Sequence, residues 1–308
     1  MNRTQIQREN NSIPQLSSNL VSQFIGKGIV KNLKHNKSLE IEAKIKSFSS
    51  YQNNSIAKEQ FCNSEKQIQN ANTENEIQGQ KNQKKTTQFL ISFSFDDDFR
   101  LTYDFSKKIF ILETKEKNND DNTLKVVCQD TVINVSRKEE LQVLEEDIID
   151  KYLQKLQNNL YSTVRIKLRR NYQKEFIQIS FSEVIQVQNK VTYQRFQTEK
   201  QIQQQYIQEA IYYFVNCYFN NNLTNKIQNE LLSYFFQNKY QPLIVYEIEA
   251  EMVELYEYFH EIVEKKDTQL IQKKINQFYE SLQQIICWSG LNRYIHPAIL
   301  GGYSVFRQ

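Results

Sequence analysis

The sequence predicts an α+β fold: a closed antiparallel β-barrel of about eight strands, charged inside and covered by helices. Three observations predict it. Segments with a period of two recur between residues 38 and 253. Segments of helical period stand among and after them. Several of the strands carry charge on one face and apolar residues on the other. Side chains alternate along a strand, so Glu40, Glu42 and Lys44 share a face opposite Ile41, Ala43 and Ile45. Glu247, Glu249 and Glu251 share a face in the same way, and Arg165, Lys167 and Arg169 repeat the pattern with the sign reversed. One such strand fits an ordinary half-exposed sheet. Several in one chain do not, because like charges two residues apart repel. They make sense if carboxylate strands share a cation and the basic strand faces a polyanion. A closed barrel brings such faces together around a hydrated interior, where inward charge costs least.

The elements follow in order. Residues 1–37 read as a polar tail with a short amphipathic helix over 20–30, carried by Leu20, Val21, Phe24 and Ile25. The barrel domain spans 38–308 and opens with a strand at 38–46. Residues 47–87, dominated by Gln, Asn, Lys, Ser and Glu, read as a disordered low-complexity insertion. Phe89, Ile91, Phe93 and Phe95 then alternate with Leu90, Ser92 and Ser94 as a strand. Asp96, Asp97 and Asp98 form a turn, and 99–105 and 109–117 a hairpin around 106–108. Arg100, Thr102 and Asp104 share one face of that hairpin, as do Glu113, Lys115 and Lys117. A strand region covers 123–135. Leu141, Leu144, Ile148, Ile149, Leu153 and Leu156 predict a surface helix over 139–160. Strands are expected at 163–171, 176–187 and 191–197, an aromatic-rich helical insertion at 199–240, and a strand at 243–253. A C-terminal helical region, 254–308, has helical spacing over 268–286.

Composition sets bounds. A chain of 308 residues can bury a core without disulfides. Six glycines exclude a Gly-rich phosphate loop and a dinucleotide-binding signature. No apolar run approaches the ~18 residues of a membrane-spanning helix. The polar start lacks a signal-peptide pattern, so an intracellular protein with no membrane partner is expected. Cys62, Cys128, Cys217 and Cys287 are scattered, and His35, His260 and His296 lack metal-ligand spacing. A zinc site is therefore not expected, and reduced thiols fit a cytosolic or nuclear setting. A net charge of +3 does not by itself argue for nucleic-acid binding.

Glu40-x-Glu42-x-Lys44 near the start and Glu247-x-Glu249-x-Glu251 near the end resemble the paired signatures of the triphosphate tunnel metalloenzymes. Arg165-x-Lys167-x-Arg169, followed by Tyr172, resembles the basic strand of the fungal and protozoal RNA 5′-triphosphatases, the metal-dependent first enzymes of mRNA capping. Arg100-Leu101-Thr102-Tyr103-Asp104, followed by Glu113-x-Lys115-x-Lys117, is similar to that family's mid-barrel hairpin. The resemblance covers residues 38–253, with gaps. It implies a hydrolase that removes the γ-phosphate from the 5′-triphosphate end of nascent RNA. It implies Mg²⁺ or Mn²⁺ held by Glu40, Glu42, Glu247 and Glu249, with Glu251 binding the ion or orienting the attacking water. Lys44, Arg100, Lys115, Arg165, Lys167 and Arg169 would grip phosphate oxygens. A nuclear location, a guanylyltransferase partner and a homodimer are implied as well. Two departures stand out. Gln178 and Ser180 occupy places where the family usually bears an Arg and an Asp. The family's middle-strand metal glutamate has no counterpart on 124–127, its place falling near Asp130 or Thr131. Two other readings stay open. One is a tunnel enzyme acting on inorganic triphosphate, polyphosphate or a small organic triphosphate. The other is a non-catalytic barrel subunit of a transcription complex, against which the intact acidic motifs weigh.

Overall fold

The computed structural model describes residues 25, 39–47, 56–77, 84–115, 123–128, 131–189, 198–236, 243–254, 259, 265 and 267–288. The chain runs β1 (Leu39–Ser47), α1 (Lys58–Ile77), β2 (Lys84–Ser94), β3 (Phe99–Asp104), β4 (Ile109–Lys115), β5 (Thr123–Cys128) and β6 (Thr131–Gln142). It continues with α2 (Glu146–Gln157), β7 (Thr163–Lys174), β8 (Ile177–Gln188), α3 (Glu199–Phe219), α4 (Asn225–Phe235), β9 (Ile244–Met252) and α5 (Thr268–Trp288). The architecture is α+β. One antiparallel sheet has the order β1-β9-β8-β7-β2-β3-β4-β6-β5, with an additional pairing of β1 to β6.

The period of two sorts the side chains as the sequence implies. Ile41, Ala43 and Ile45 of β1, Ile91 and Phe93 of β2, Val164 and Ile166 of β7, and Ile248 and Ala250 of β9 are all buried. They belong to one apolar core shared with the helices, to which α1 gives Phe61 and Ile68, α2 Tyr152 and Leu156, α3 Ile207, Ile211 and Phe214, and α5 Ile275, Phe278 and Leu282. The apolar faces of the strands meet helices, and the charged faces are left to one another. Local signals fix the helix ends. Thr198 caps α3 through a reciprocal box with Gln201, and the Thr224 side chain accepts from Ile227 N at the start of α4. The Asp96–Asp98 turn is a docking point: Tyr152 Oη and Lys155 Nζ of α2 donate to Asp97 Oδ2 at 2.7 and 2.6 Å.

Two expectations change and two are refined. Residues 47–87 are not a disordered insertion, because α1 occupies 58–77 and β2 begins at Lys84. The segment has few apolar residues, but Ile56, Phe61 and Ile68 are buried in the core and Ala71 packs against it. The Phe61 ring lies 5.5 Å from Phe181 and 5.0 Å from Tyr246. The predicted strand region at 123–135 is two strands. The helix expected over 139–160 begins only at Glu146, because β6 runs on to Gln142 and Leu141 stands in register with Thr114 of β4. The helical insertion at 199–240 is a pair of helices. The short helix over 20–30 lies outside the described residues except for Ile25, which is helical and buried. The strand expected at 191–197 lies wholly outside them. Of the C-terminal helical region, α5, Phe259, Asp267 and Lys265 are described.

A polar network clamps α1 to the sheet. Arg170 donates from Nε and Nη2 to the two oxygens of Glu65, and from Nη1 to Glu183 Oε1 at 2.9 Å. Tyr172 Oη donates to Glu65 Oε1 at 2.9 Å and accepts from Gln69 Nε2 at 2.9 Å. Burial pushes the Tyr172 phenol up to about 12, and the Glu65 carboxylate beside it adds to the push. Below the ordinary phenol value of 10.0 both folded and unfolded chains hold this proton. Above it the unfolded chain ionises first, so the native state loses stability as pH climbs to about 12. Denaturant midpoints at pH 9.5 and pH 11.5 are therefore expected to fall further for the wild type than for Tyr172→Phe.

Candidate active site

The site grows from the charged faces of β1, β7 and β9. Register sets which groups meet. Glu42 stands beside Glu251 and Lys44 beside Glu249 on β1 and β9, and Glu249 and Glu251 stand beside Ser180 and Gln178 of β8. The charges of β7 then reach over β8 to β9. Arg165 Nη2 is bonded to Glu247 Oε1. Lys167 Nζ lies 3.6 Å from Glu247 Oε2 and 3.2 Å from Glu249 Oε2. Arg169 Nη2 lies 3.1 Å from Glu249 Oε2 and 3.6 Å from Glu251 Oε2. Each residue of the basic strand thus pairs with the acidic strand in a ladder, and Glu249 is its centre. Lys44 closes the centre from the other side, 2.9 Å from Glu249 Oε1 and 3.4 Å from Glu42 Oε1.

Burial sharpens these pairings. Glu249 is 1% exposed. Burial alone would raise its carboxyl, but Lys167, Lys44 and Arg169 hold it well below the usual carboxylate range. Burial also opposes the charge on Lys44, yet Glu249 and Glu42 carry its ammonium above its usual value. Lys167 goes the other way. Burial lowers it, and the pull of Glu249 and Glu247, opposed by Arg169 and Arg165, does not restore it.

A cavity of about 280 Å³ opens over this ladder. Its lining brings together seven predicted residues: Glu42, Lys44, Arg100, Arg165, Lys167, Arg169 and Glu249. Glu247 and Glu251 join through their ion pairs with the basic strand. Arg100 donates from Nε and Nη2 to Glu113 Oε2 at 3.1 and 2.7 Å, so the hairpin carries its own ion pair. The side chains of Glu40 and Lys115 lie outside the described residues. Gln178 and Ser180 are accounted for by hydrogen bonds. Gln178 donates to Glu251 Oε2 at 3.3 Å, and Ser180 donates to Asn171 Oδ1 at 2.8 Å. Asn171 donates in turn to Gln88 Oε1 at 3.0 Å, so a neutral layer follows Arg169 along the sheet. The strand at 124–127 is β5, which among the described residues pairs only with β6. It is β6 that lies between β1 and β4, with Lys138 in register with Glu40 and Glu140 with Lys115.

The sequence reading missed the β2 wall and the hairpin turn. Gln88, Leu90, Ser92, Ser94, Lys107 and Ile111 all line the cavity. For β2 the signal was present: these are the residues that alternate with its buried phenylalanines. Asp104 Oδ1 accepts from Ser106 N and Oγ at 2.8 and 2.6 Å, which fixes the turn that holds Lys107.

The donor set can be tested for a divalent ion. Among the described residues no three His, Cys, Asp or Glu side chains form a ready metal cluster. Two carboxylates, Glu42 and Glu249, nevertheless converge on a single cationic centre at Lys44 Nζ. Glu247 Oε2 is buried and accepts no hydrogen bond. An all-oxygen set of carboxylates fits a hard ion such as Mg²⁺ or Mn²⁺. The lining carries six cations, Lys44, Arg100, Lys107, Arg165, Lys167 and Arg169, against four carboxylates, Glu42, Asp104, Glu113 and Glu249.

No family model and no curated protein matches this sequence. The structure does match solved structures. It superposes on the S. pombe Pct1 RNA triphosphatase with a TM-score of 0.56 at 12% identity, covering 89% of this chain and 94% of that one. The S. pombe Pct1 RNA triphosphatase in complex with the Spt5 CTD gives 0.55 at 12% identity over the same shares. A Mimivirus capping enzyme triphosphatase gives 0.39 at 11%, over 76% of this chain and 88% of that one. This chain has the fold of the S. pombe protein.

Removing the Glu249 carboxylate leaves Lys44, Lys167 and Arg169 buried without their shared partner. Glu249→Ala is expected to cost about 3–5 kcal/mol of stability. Glu251→Ala, whose carboxylate meets Arg169 and Gln178 at the side of the ladder, is expected to cost clearly less. Urea denaturation of both variants checks the order.

Proposed function

We propose that this chain is a divalent-metal-dependent RNA 5′-triphosphatase, a polynucleotide 5′-phosphatase that converts a 5′-triphosphate end to a 5′-diphosphate. The observation that carries the reading is the ladder of Arg165, Lys167 and Arg169 against Glu247, Glu249 and Glu251 across one cavity. The fold shared with the S. pombe RNA triphosphatase supports it. The pairing of β1 with both β9 and β6 supports a sheet closed into a tunnel.

Glu42 and Glu249 would hold the ion, with Glu40 on β1 and Glu247 on β9 completing the set. When bound, Mg²⁺ or Mn²⁺ supplies Lewis-acid polarisation of the γ-phosphoryl group. The protein's own part is positioning and charge neutralisation, which phosphoryl transfer chiefly needs. Arg165, Lys167 and Arg169 exchange carboxylate for phosphate oxygens without leaving their places. Lys44 meets the γ-phosphate from the β1 side, and Arg100 and Lys115 meet the chain of phosphates from the hairpin. Glu251, fixed by Gln178, orients the attacking water in line with the bond to the leaving diphosphate. The diphosphate end would pass to a guanylyltransferase, in the nucleus, and the active form would be a homodimer.

The test is release of γ-phosphate from labelled triphosphate-ended RNA, with Mg²⁺ or Mn²⁺ and with chelator, beside inorganic tripolyphosphate. Release is expected to require the ion. Glu42→Ala and Arg165→Ala are each expected to lower kcat/KM by roughly 100-fold or more. Glu249→Gln, which keeps the volume of the side chain, covers the case in which Glu249→Ala fails to fold. Release from tripolyphosphate alone would move the assignment to an inorganic triphosphatase. A folded protein releasing phosphate from neither substrate would overturn the enzymatic reading.

A further inference from the structure

Lys44 stands apart from the other cations around Glu249. Lys167 and Arg169 come from β7 and approach Glu249 at Oε2, at 3.2 and 3.1 Å. Lys44 comes from β1 and takes the other oxygen. Its Nζ lies 2.9 Å from Glu249 Oε1 and 3.4 Å from Glu42 Oε1, so it joins a carboxylate of β1 to one of β9. Beyond that ion pair Glu249 Oε1 is buried without a hydrogen-bond partner among the described residues. Glu42 and Glu249 are 5% and 1% exposed. The Lys44 side chain, by contrast, is 32% exposed and lines the cavity.

Two buried carboxylates aimed at one point repel unless a cation stands between them. Lys44 supplies that cation. A hard divalent ion draws carboxylate oxygens in to about 2.0–2.6 Å. An ion held by Glu42 and Glu249 therefore competes with the ammonium for the same oxygens. The ammonium is a compact charge on a flexible four-carbon stem, and its open side is the cavity. It leaves its carboxylates by rotating its own side chain, with no strand moved. Resting on the reading of the site as metal-dependent, we propose that Lys44 is a placeholder for the divalent ion. It keeps Glu42 and Glu249 together beforehand, and it yields its place by swinging into the cavity. Lys44 is then a positioning residue for the metal site first, and a phosphate-facing cation only after the exchange. The exchange leaves the cavity richer by one released ammonium, which couples the loading of the ion to the grip on a polyanion.

The test reads ion binding without substrate or turnover. Mn²⁺ is titrated into wild type, Lys44→Met, Lys44→Arg, Lys167→Met and Arg169→Met. Electron paramagnetic resonance reads the free ion, and urea midpoints confirm folding. Each Met variant removes one cation from Glu249, so charge alone favours the ion to a similar extent in all three. Lys44→Met is expected to bind Mn²⁺ about tenfold more tightly than wild type, because no occupant has to leave, and more tightly than Lys167→Met or Arg169→Met. Lys44→Arg keeps the charge but holds two carboxylates more firmly through its planar fork, and is expected to bind Mn²⁺ more weakly than wild type. In wild type, acetylation of Lys44 by acetic anhydride, read by mass spectrometry, is expected to rise when Mn²⁺ is added; this arm needs no variant. A Lys44→Met that gains no more than Lys167→Met and Arg169→Met, or acetylation that Mn²⁺ leaves unchanged, would overturn the exchange and leave metal-dependent hydrolysis standing. Mn²⁺ bound by none of the five proteins would overturn the metal-dependent reading, and the placeholder with it.

Discussion

Everything in this structure is arranged around one buried carboxylate. Glu249 is held by Lys167 and Arg169 from β7 and by Lys44 from β1. Removing a charge from water costs several kcal/mol, repaid only where opposite charges and hydrogen bonds surround it closely. That demand commits β1, β7 and β9 to turn their charged faces toward one another. Their apolar faces must then find cover elsewhere, which explains a core between the sheet and the helices instead of within the sheet's own curve. The helices fill that need with Phe61, Phe214 and Phe278.

The same interaction keeps Arg165, Lys167 and Arg169 ordered. On the proposed reading a phosphate oxygen would offer them the kind of partner they already have, so that binding would replace one set of charge-assisted hydrogen bonds with another and leave the cations in place.

Much of this was legible in the residues. Alternating charge in Glu40–Lys44, Arg165–Arg169 and Glu247–Glu251 marked the strands that meet, because the period of a strand fixes its faces whatever its partners. The hairpin at Arg100 and Glu113 was legible for the same reason. Partners far apart in sequence were not. Nothing local says that Glu65 bonds Arg170, and a helix held by two apolar residues and a polar network has the composition of a disordered segment. The extent of β6 was hidden because Leu141 continues in helical spacing with Leu144 and Ile148 of the segment that follows, and only pairing with β4 keeps it in a strand.

The place of β1 carries a consequence for synthesis. Among the described residues it is the first strand in the chain, and its neighbours are β6 and β9, the latter the last. While the ribosome is still translating α3 and α4, β1 has at most one edge covered, and Lys44 has not met Glu249. Closing so long a loop costs chain entropy that only the finished ladder returns. The emerging chain must pass through an interval in which a half-paired sheet edge and an unmatched row of basic side chains on β7 are both exposed. An unpaired strand edge of that kind is where misassembly of partly folded chains begins.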